Sequence, residues 1–504
     1  MRITNQMMIN SSMNNIQTNK NQINTLDNQL STQKKIDKPS DDPVVAIRAL
    51  RLRSSLDQVT QYLNKNIPDA SSWLSVTEDA LDEGYSIVSD LYRYCVQGST
   101  DSFSSSERDT ISESLNKLRE AFYAEGDVDY AGRYVFTGYA TDKPLTYQSD
   151  ETAKDVDYTI TQDFTRDSLS TKTAYTNSYS NEDIMNMDVH GTMPNVATVH
   201  RLQLAYSNIS ADKEIKITDS AGNVATVTKN ADGTANVTGS LTAGGNPVSV
   251  TYTDDDNYVP ADNEIAINTQ TGELLLGSNV YADVYKTDSF SVTYDKDNFI
   301  KGDINPTMYF TCVDNNTGVV YTKVKEDVEY NVNFSQKLKV NTEANEAFNI
   351  YLGRNIDDLC TAVQNVLDIE NQMSQVSSML EEEQYSDETS QKALNDILEG
   401  LTKQKELAED EMTKAFERGV GQMQGYQEQI SNAKADVGNR ETRLNLTKTR
   451  LTEQKTNFTD LKSQNEDIDL EEVVVTYSSA EVVYNAALTA ASKVVQQTLL
   501  DFLG

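Results

Sequence analysis

All eight prolines fall between Pro39 and Pro306, so residues 307–504 contain none. A stretch of that length without the residue that most strongly ends helices invites long ones. At the opposite end Ile9, Ile16, Ile23 and Leu30 recur every seven residues, with Met13 and Leu26 between them. That spacing lays a narrow apolar seam along one face of a helix. The helix is predicted to stop near Lys38, because a residue that precedes proline is pushed out of the helical region. Asp42-Pro43 then reads as a cap followed by proline at the first helical position, opening a second helix that carries Leu52, Leu56, Val59 and Leu63. Beyond Pro68 the spacing resumes with Leu74, Leu81 and Val88, and a shorter helix is predicted around Leu115, Leu118 and Phe122.

The far end repeats the pattern. Leu359, Val366, Met373 and Leu380 are seven apart, as are Val437, Leu444, Leu451 and Phe458. Between these two seams, residues 381–433 are charged and helix-prone, but Gly419, Gly421 and Gly425 predict a loop within them. The last stretch steps in alternating fours and threes through Tyr477, Ala480, Tyr484, Ala487, Ala491, Val494 and Thr498, and Leu488, Val495 and Phe502 widen its apolar stripe.

Residues 141–340 read differently, as short β-rich runs such as 214–218, 224–228, 248–253 and 290–294, separated by turn signals including Gly222-Asn223, Asp232-Gly233, Gly244-Gly245 and Gly272. The fold class is therefore mainly α with an inserted β domain, an α+β chain built as an elongated helical hairpin. Three domains are expected: a coiled-coil core from 1–42 and 460–504, a helical rod from 43–140 and 341–459, and a β-rich outer domain from 141–340.

The 43 basic and 78 acidic side chains sum to a formal charge of -35, which excludes a basic nucleic-acid surface as the main business of the chain. No apolar run is long enough for a membrane span, and the opening residues lack the pattern of a cleaved secretory signal. Cys95, Cys312 and Cys360 form no metal-binding or disulfide spacing. The two histidines, His190 and His200, are ten apart with no HExxH pattern, and no phosphate loop or nucleophile elbow appears. The reading is of a protein that is not an enzyme and that carries neither cofactor nor metal. Asp254-Asp255-Asp256 and Glu381-Glu382-Glu383 lack the spaced ligands of a calcium loop and read as solvated surface.

A seam as narrow as that of the first helix does not bury enough to order it, and its Asn, Gln, Ser and Thr content adds to the cost. Its missing contacts are expected from the C-terminal stripe and then from other subunits. Ile9, Met13, Ile16, Ile23 and Leu30, with Tyr477, Ala480, Tyr484, Ala487, Leu488, Ala491, Val494, Val495, Leu499 and Phe502, form the predicted assembly interface. Residues 1–40 carry five basic and two acidic side chains and 434–504 eight and eleven, a sign difference that favours their pairing.

Several segments carry a family resemblance: MRITNQMM at the start, 30–56 with its Pro39-Ser40-Asp41-Asp42-Pro43 motif, AGRYVFTGY at 131–139, KGDINPTMYF at 301–310, VGNRETRL at 437–444, NEDIDLEE at 465–472 and the closing 492–504. Together they resemble the flagellin superfamily, in its hook-filament junction branch. The resemblance implies an extracellular subunit of the bacterial flagellum, exported by the flagellar type III apparatus without cleavage. The partners it implies are other copies in a ring, the first hook-associated protein, flagellin, and an export chaperone that covers the C-terminal stripe. The proline-bracketed motif is read as a helix junction capped by Asp41 or Asp42, with an intersubunit role open. Arg133, Tyr134, Phe136 and Tyr139 are read as a rod-domain motif, either packing or contacting a neighbour. A filament flagellin and an adhesive β-insert are the alternatives to the junction role.

Overall fold

The computed structural model describes residues 5–100, 104–219, 221–231, 233–243 and 245–502. Its helices are α1 (Asn5–Thr32), α2 (Pro43–Gln61), α3 (Ile67–Gly98), α4 (Ser105–Ala124), α5 (Asp150–Ala153), α6 (Asn181–Asn186), α7 (Ser278–Thr287), α8 (Ala344–Ala347), α9 (Tyr351–Glu381), α10 (Glu388–Glu466) and α11 (Leu470–Phe502). Long helices at both ends flank a sheet-rich middle, the α+β class that the proline distribution and the short β runs predict.

Three local expectations are corrected. The first helix ends at Thr32 rather than near Lys38, because Gln33 takes a left-handed conformation with φ 58° and the following residues pair with the C-terminal end of α10. No gap separates the helices at Pro68. A five-residue π turn, Tyr62–Asn66, joins α2 to α3, and the N–H of Ile67 reaches back to the Tyr62 carbonyl. The wide turn just ahead of the proline lets the helix continue without the N–H that proline lacks. The loop expected at Gly419, Gly421 and Gly425 is absent: α10 runs through all three. A Cβ at Gly419 would lie 3.0 Å from Cys95 Sγ and 3.5 Å from the Leu359 side chain, so that glycine lets two helices approach α10 closely. The chain turns instead at 382–387.

The described residues divide into two compact units. The first comprises 5–71, 330–338 and 442–502, and the second 72–329 and 339–441. In the first, α1 packs along α11. In the second, Trp73, Leu74, Leu81, Val88 and Leu91 of α3 are buried together with Leu115 and Phe122 of α4, Leu359 and Val366 of α9, and Leu401 and Phe416 of α10. Phe348, in the segment leading into α9, ties this core together, with ring centroids 5.2 Å from Phe122 and 4.9 Å from Phe136.

The second unit also holds two sheets. One has seven strands in the order Val320–Tyr321, Thr311–Asp314, Tyr158–Phe164, Phe290–Lys296, Ile215–Thr218, Val224–Lys229 and Ala235–Gly239. All its neighbours are antiparallel, with Tyr294 opposite Ile160 and Ile217 opposite Ala225. The other has five, in the order Ser249–Tyr252, Glu264–Asn268, Glu273–Leu276, Asn195–Gln203 and Leu169–Thr176. Its first pair is parallel, and every residue of Glu264–Asn268 and Glu273–Leu276 is buried. Strands covered on both faces show no polar alternation.

Candidate functional site

The site begins with the two stripes at the chain ends. On α1, Ile9, Ile16, Ile23 and Leu30 are half-buried, Leu26 is buried, and Met13 is exposed. On α11, Tyr477, Ala480, Tyr484, Ala487 and Ala491 are half-buried and Leu488 is exposed. The small alanines permit close approach of the two helices, which pack side by side. The side chains of Val494, Val495, Leu499 and Phe502 lie outside the described residues. Away from the seam the helices remain apolar: Met7, Met8 and Met13 on α1 and Val474, Val475, Val482 and Val483 on α11 are exposed, Val482 at 68%. The pair thus buries one apolar stripe while these further apolar side chains remain in water.

The pair is closed at its base by a knot of backbone and charge. Lys34 and Asp467 form an antiparallel bridge, the Lys35 N–H donates to the Glu466 carbonyl at 2.7 Å, and the Ile468 N–H donates to the Gln33 carbonyl at 3.2 Å. The Lys34 ammonium reaches the Asp467 carboxylate. From α2, Arg53 donates Nε and Nη2 to the two carboxylate oxygens of Glu466 at 2.8 and 2.7 Å. The hydrogen bonds from Arg53 hold the Glu466 carboxyl below its ordinary range even though burial opposes the shift, and those from Lys34 and Ser463 do the same for Asp467.

The proline-bracketed motif lies beside this knot. Asp42 caps α2, its carboxylate accepting from the Val44 and Val45 N–H groups at 2.9 and 3.1 Å. Asp41 serves the turn before it, accepting from the N–H groups of Asp37 and Lys38 at 3.1 and 2.9 Å. The capping role is thus divided between the two aspartates. Pro39, Ser40 and Pro43 are exposed.

The motif at 131–139 sits in the second unit, at a two-residue hairpin of Asp129–Tyr130 with Arg133–Tyr134. The Arg133 guanidinium stands 4.9 Å from the centroid of the buried Trp73 and 5.8 Å from that of Tyr130. Phe136 is buried, and its carbonyl accepts from the Ala344 N–H at 2.9 Å. Tyr134 is half-buried. Tyr139 is 64% exposed, and its backbone N–H donates to Glu326 at 2.6 Å. These contacts give Arg133 and Phe136 packing partners within the chain, while Tyr139 presents its ring to solvent.

The charged knot at 34, 35, 53, 466 and 467 escapes sequence reasoning, since each of its members looks like ordinary surface charge. Its one sequence signal is the placement of basic residues just after the first seam and acidic ones just before the last. Among the described residues no group of three or more His, Cys, Asp or Glu side chains is placed to hold a metal ion, and no helix is long and apolar enough to cross a membrane. Each histidine ring is stacked on a tyrosine, His190 on Tyr179 at 4.2 Å and His200 on Tyr281 at 3.6 Å. Burial pushes the Cys95 thiol up to about 12, out of the range of a nucleophile.

The N-terminal helical region of bacterial flagellin matches residues 3–141, and its C-terminal helical region matches residues 421–503. The flagellar hook-associated protein 3 of Salmonella typhimurium is 29% identical over 144 residues, and that of Escherichia coli 28% over the same length. Each match covers 28% of this chain and 45% of the relative, so the chain spans less than half the length of these relatives. Among solved structures, a putative flagellar hook-associated protein from Vibrio parahaemolyticus aligns over 85% of this chain and all of its own, at 11% identity and a TM-score of 0.36. The two ends of the chain are thus similar to the two helical regions of bacterial flagellin, and the outermost helices of those ends pack together in one unit.

Proposed function

We propose that this protein is a junction subunit of the bacterial flagellum, a structural rather than catalytic component that joins the hook to the filament. The observation that carries the reading is the pairing of α1 with α11 while Met7, Met8, Val474, Val475, Val482 and Val483 stay exposed. Exposed apolar surface at both chain ends suits a subunit completed by its neighbours, and the two relatives named flagellar hook-associated protein 3 support the junction rather than another axial position.

In this reading copies of the chain form a ring between the first hook-associated protein and flagellin. Before assembly, a chaperone groove that takes up the apolar face of α11 blocks premature association. Export without a cleaved signal follows from the same role.

Filament flagellin is the second reading, favoured by the match of both chain ends to flagellin helical regions. Deletion of the gene separates the two. A junction subunit leaves hooks in place while flagellin is shed into the medium; loss of filaments with no shed flagellin overturns the junction role. A chain trimmed of 1–35 and 470–504 is expected to fail to dock on purified hooks, and undiminished docking would refute the assembly role of the ends.

A further inference from the structure

Two exposed surfaces of the first unit carry apolar side chains together with charges of opposite sign. On α2, Val44, Ile47 and Leu50 follow one another at three-residue spacing and are 58, 53 and 63% exposed, while the helix buries Ala46, Ala49 and Val59. Arg48 and Arg51, one turn beyond Val44 and Ile47, are exposed beside them. The third arginine of the helix, Arg53, is engaged on Glu466, but Arg48 and Arg51 have no carboxylate partner among the described residues. On α11, Leu470, Val474 and Val475 are exposed in the first two turns, and Glu471 stands one turn before Val475. Glu471 and Glu472 are themselves exposed, and no cation pairs with either among the described residues.

Both surfaces border the same joint. The Asn465 side-chain amide donates to the Val45 carbonyl at 3.1 Å, and α11 begins four residues beyond Glu466. Yet among the described residues no ion pair joins the free arginines of α2 to the glutamates of α11 within one chain. A glutamate in a first turn favours the dipole of its own helix, which accounts for Glu471 and Glu472 but not for the three apolar side chains around them. In a chain of net charge -35, copies repel wherever acidic surfaces meet, so a basic apolar stripe is the place where the acidic apolar surface of another copy is attracted instead. Apolar contact then supplies the affinity, and the charges fix the register.

We infer that the Val44, Ile47 and Leu50 stripe of one copy receives the start of α11 of the next, with Arg48 and Arg51 set against Glu471 and Glu472. The two surfaces differ, so the contact is heterologous: each copy offers one face to the neighbour on one side and the other face to the neighbour on the other, the form of contact that a ring needs. The inference rests on the assembly of copies proposed above and names the surfaces that meet in it.

The test uses the full chain with Leu50→Cys and Val474→Cys, treated with a short bis-maleimide in concentrated solution and again on hooks that carry the first hook-associated protein. A ladder of multimers is expected from the double variant, dimers from a mixture of the two single variants, and only background from each single variant alone. The unsubstituted chain, in which Cys95 and Cys312 are buried, sets that background. Arg51→Glu in the double variant is expected to lower the yield of the ladder about tenfold, and Arg51→Glu combined with Glu471→Arg to restore it. Dimers from a single variant alone, no ladder in either setting, or a charge reversal without effect or without rescue overturn the inference. Hooks that take up the chain without a ladder remove this contact and leave the junction role standing. A ladder in solution without uptake on hooks supports the contact and counts against the junction role.

Discussion

Arg53 and Glu466 stand 413 residues apart in the chain and meet through two parallel N–H···O bonds, the whole guanidinium fork engaged on one carboxylate. Glu466 is 3% exposed, whereas half of the Arg53 side chain lies in solvent. The carboxylate is the member that has given up water, and the arginine repays it from the surface. Because Glu466 ends α10 and its carbonyl also accepts from the Lys35 N–H, this one residue ties α2, the segment after α1 and the junction between α10 and α11 into a single joint.

Arg53→Gln should therefore cost more than a surface ion pair does. It leaves a buried carboxylate short of two donors, with Lys34 at 3.8 Å as its remaining cation. A loss of about 1–2 kcal/mol is expected after allowing for the exposure of the arginine. A double-mutant cycle with Glu466→Gln, read by denaturant unfolding of the first unit, checks it. Additive single effects would show that the pair is decorative.

The same joint sets an acid limit. The carboxyls of Glu466 and Asp467 titrate below their ordinary values of 4.5 and 3.8 in the folded chain. Their contribution is complete above those values and is lost as pH falls through the depressed ones. Hydrogen exchange of residues 33–35 and 466–468 should stay slow down to about pH 4.5 and quicken below it. In Arg53→Gln the onset should move to higher pH.

A second buried charge group anchors sheet to helix. Arg201, 7% exposed, bonds Glu273 on the neighbouring strand and Asp358 on α9. Burial alone would raise Glu273, but the charges of Arg201 and Lys172 outweigh it and hold it below the ordinary range. Arg201→Met leaves Glu273 with Lys172 at 3.1 Å and takes from Asp358 its guanidinium partner. A loss of about 3–5 kcal/mol is expected in the second unit. Replacing all three residues by apolar ones should cost less than the single change, and thermal unfolding of both variants tests this order.

Much of this architecture is legible where the physics is local. The seven-residue spacing of Ile9, Ile16, Ile23 and Leu30 places them on one face, and Asp42 before Pro43 announces the helix that it does cap. The glycines of α10 mislead because their value lies in tertiary approach, which spacing along one chain does not display. Strands Glu264–Asn268 and Glu273–Leu276 are covered on both faces, so they lack the alternation that marks 290–294. Arg53 and Glu466 are distinguished from other surface charges only by meeting one another.

Gly400 of α10 tests the tertiary reading of glycine. A Cβ there would fall 2.2 Å from the Tyr179 ring, whose backbone N–H donates to Gln404 one turn further along the same helix. Gly400→Ala favours the helix by about 1 kcal/mol in propensity, yet it must displace a buried ring at a cost of about 1–3 kcal/mol. Net destabilisation is expected, together with faster exchange in residues 177–190. A variant more stable than the parent would mean that the ring moves aside freely.

The divided caps of the helix junction can be separated by mutation. Asp42→Ala removes the acceptor for the first two free N–H groups of α2, at a cost of about 1 kcal/mol. Asp41→Ala instead loosens the 37–41 turn, which holds no helix end, so global stability should fall less while the amides of Asp37 and Lys38 exchange faster. If the motif also contacts a neighbouring subunit, either change will impair docking on hooks by more than its stability loss accounts for. Docking that tracks stability alone would confine Asp41 and Asp42 to capping.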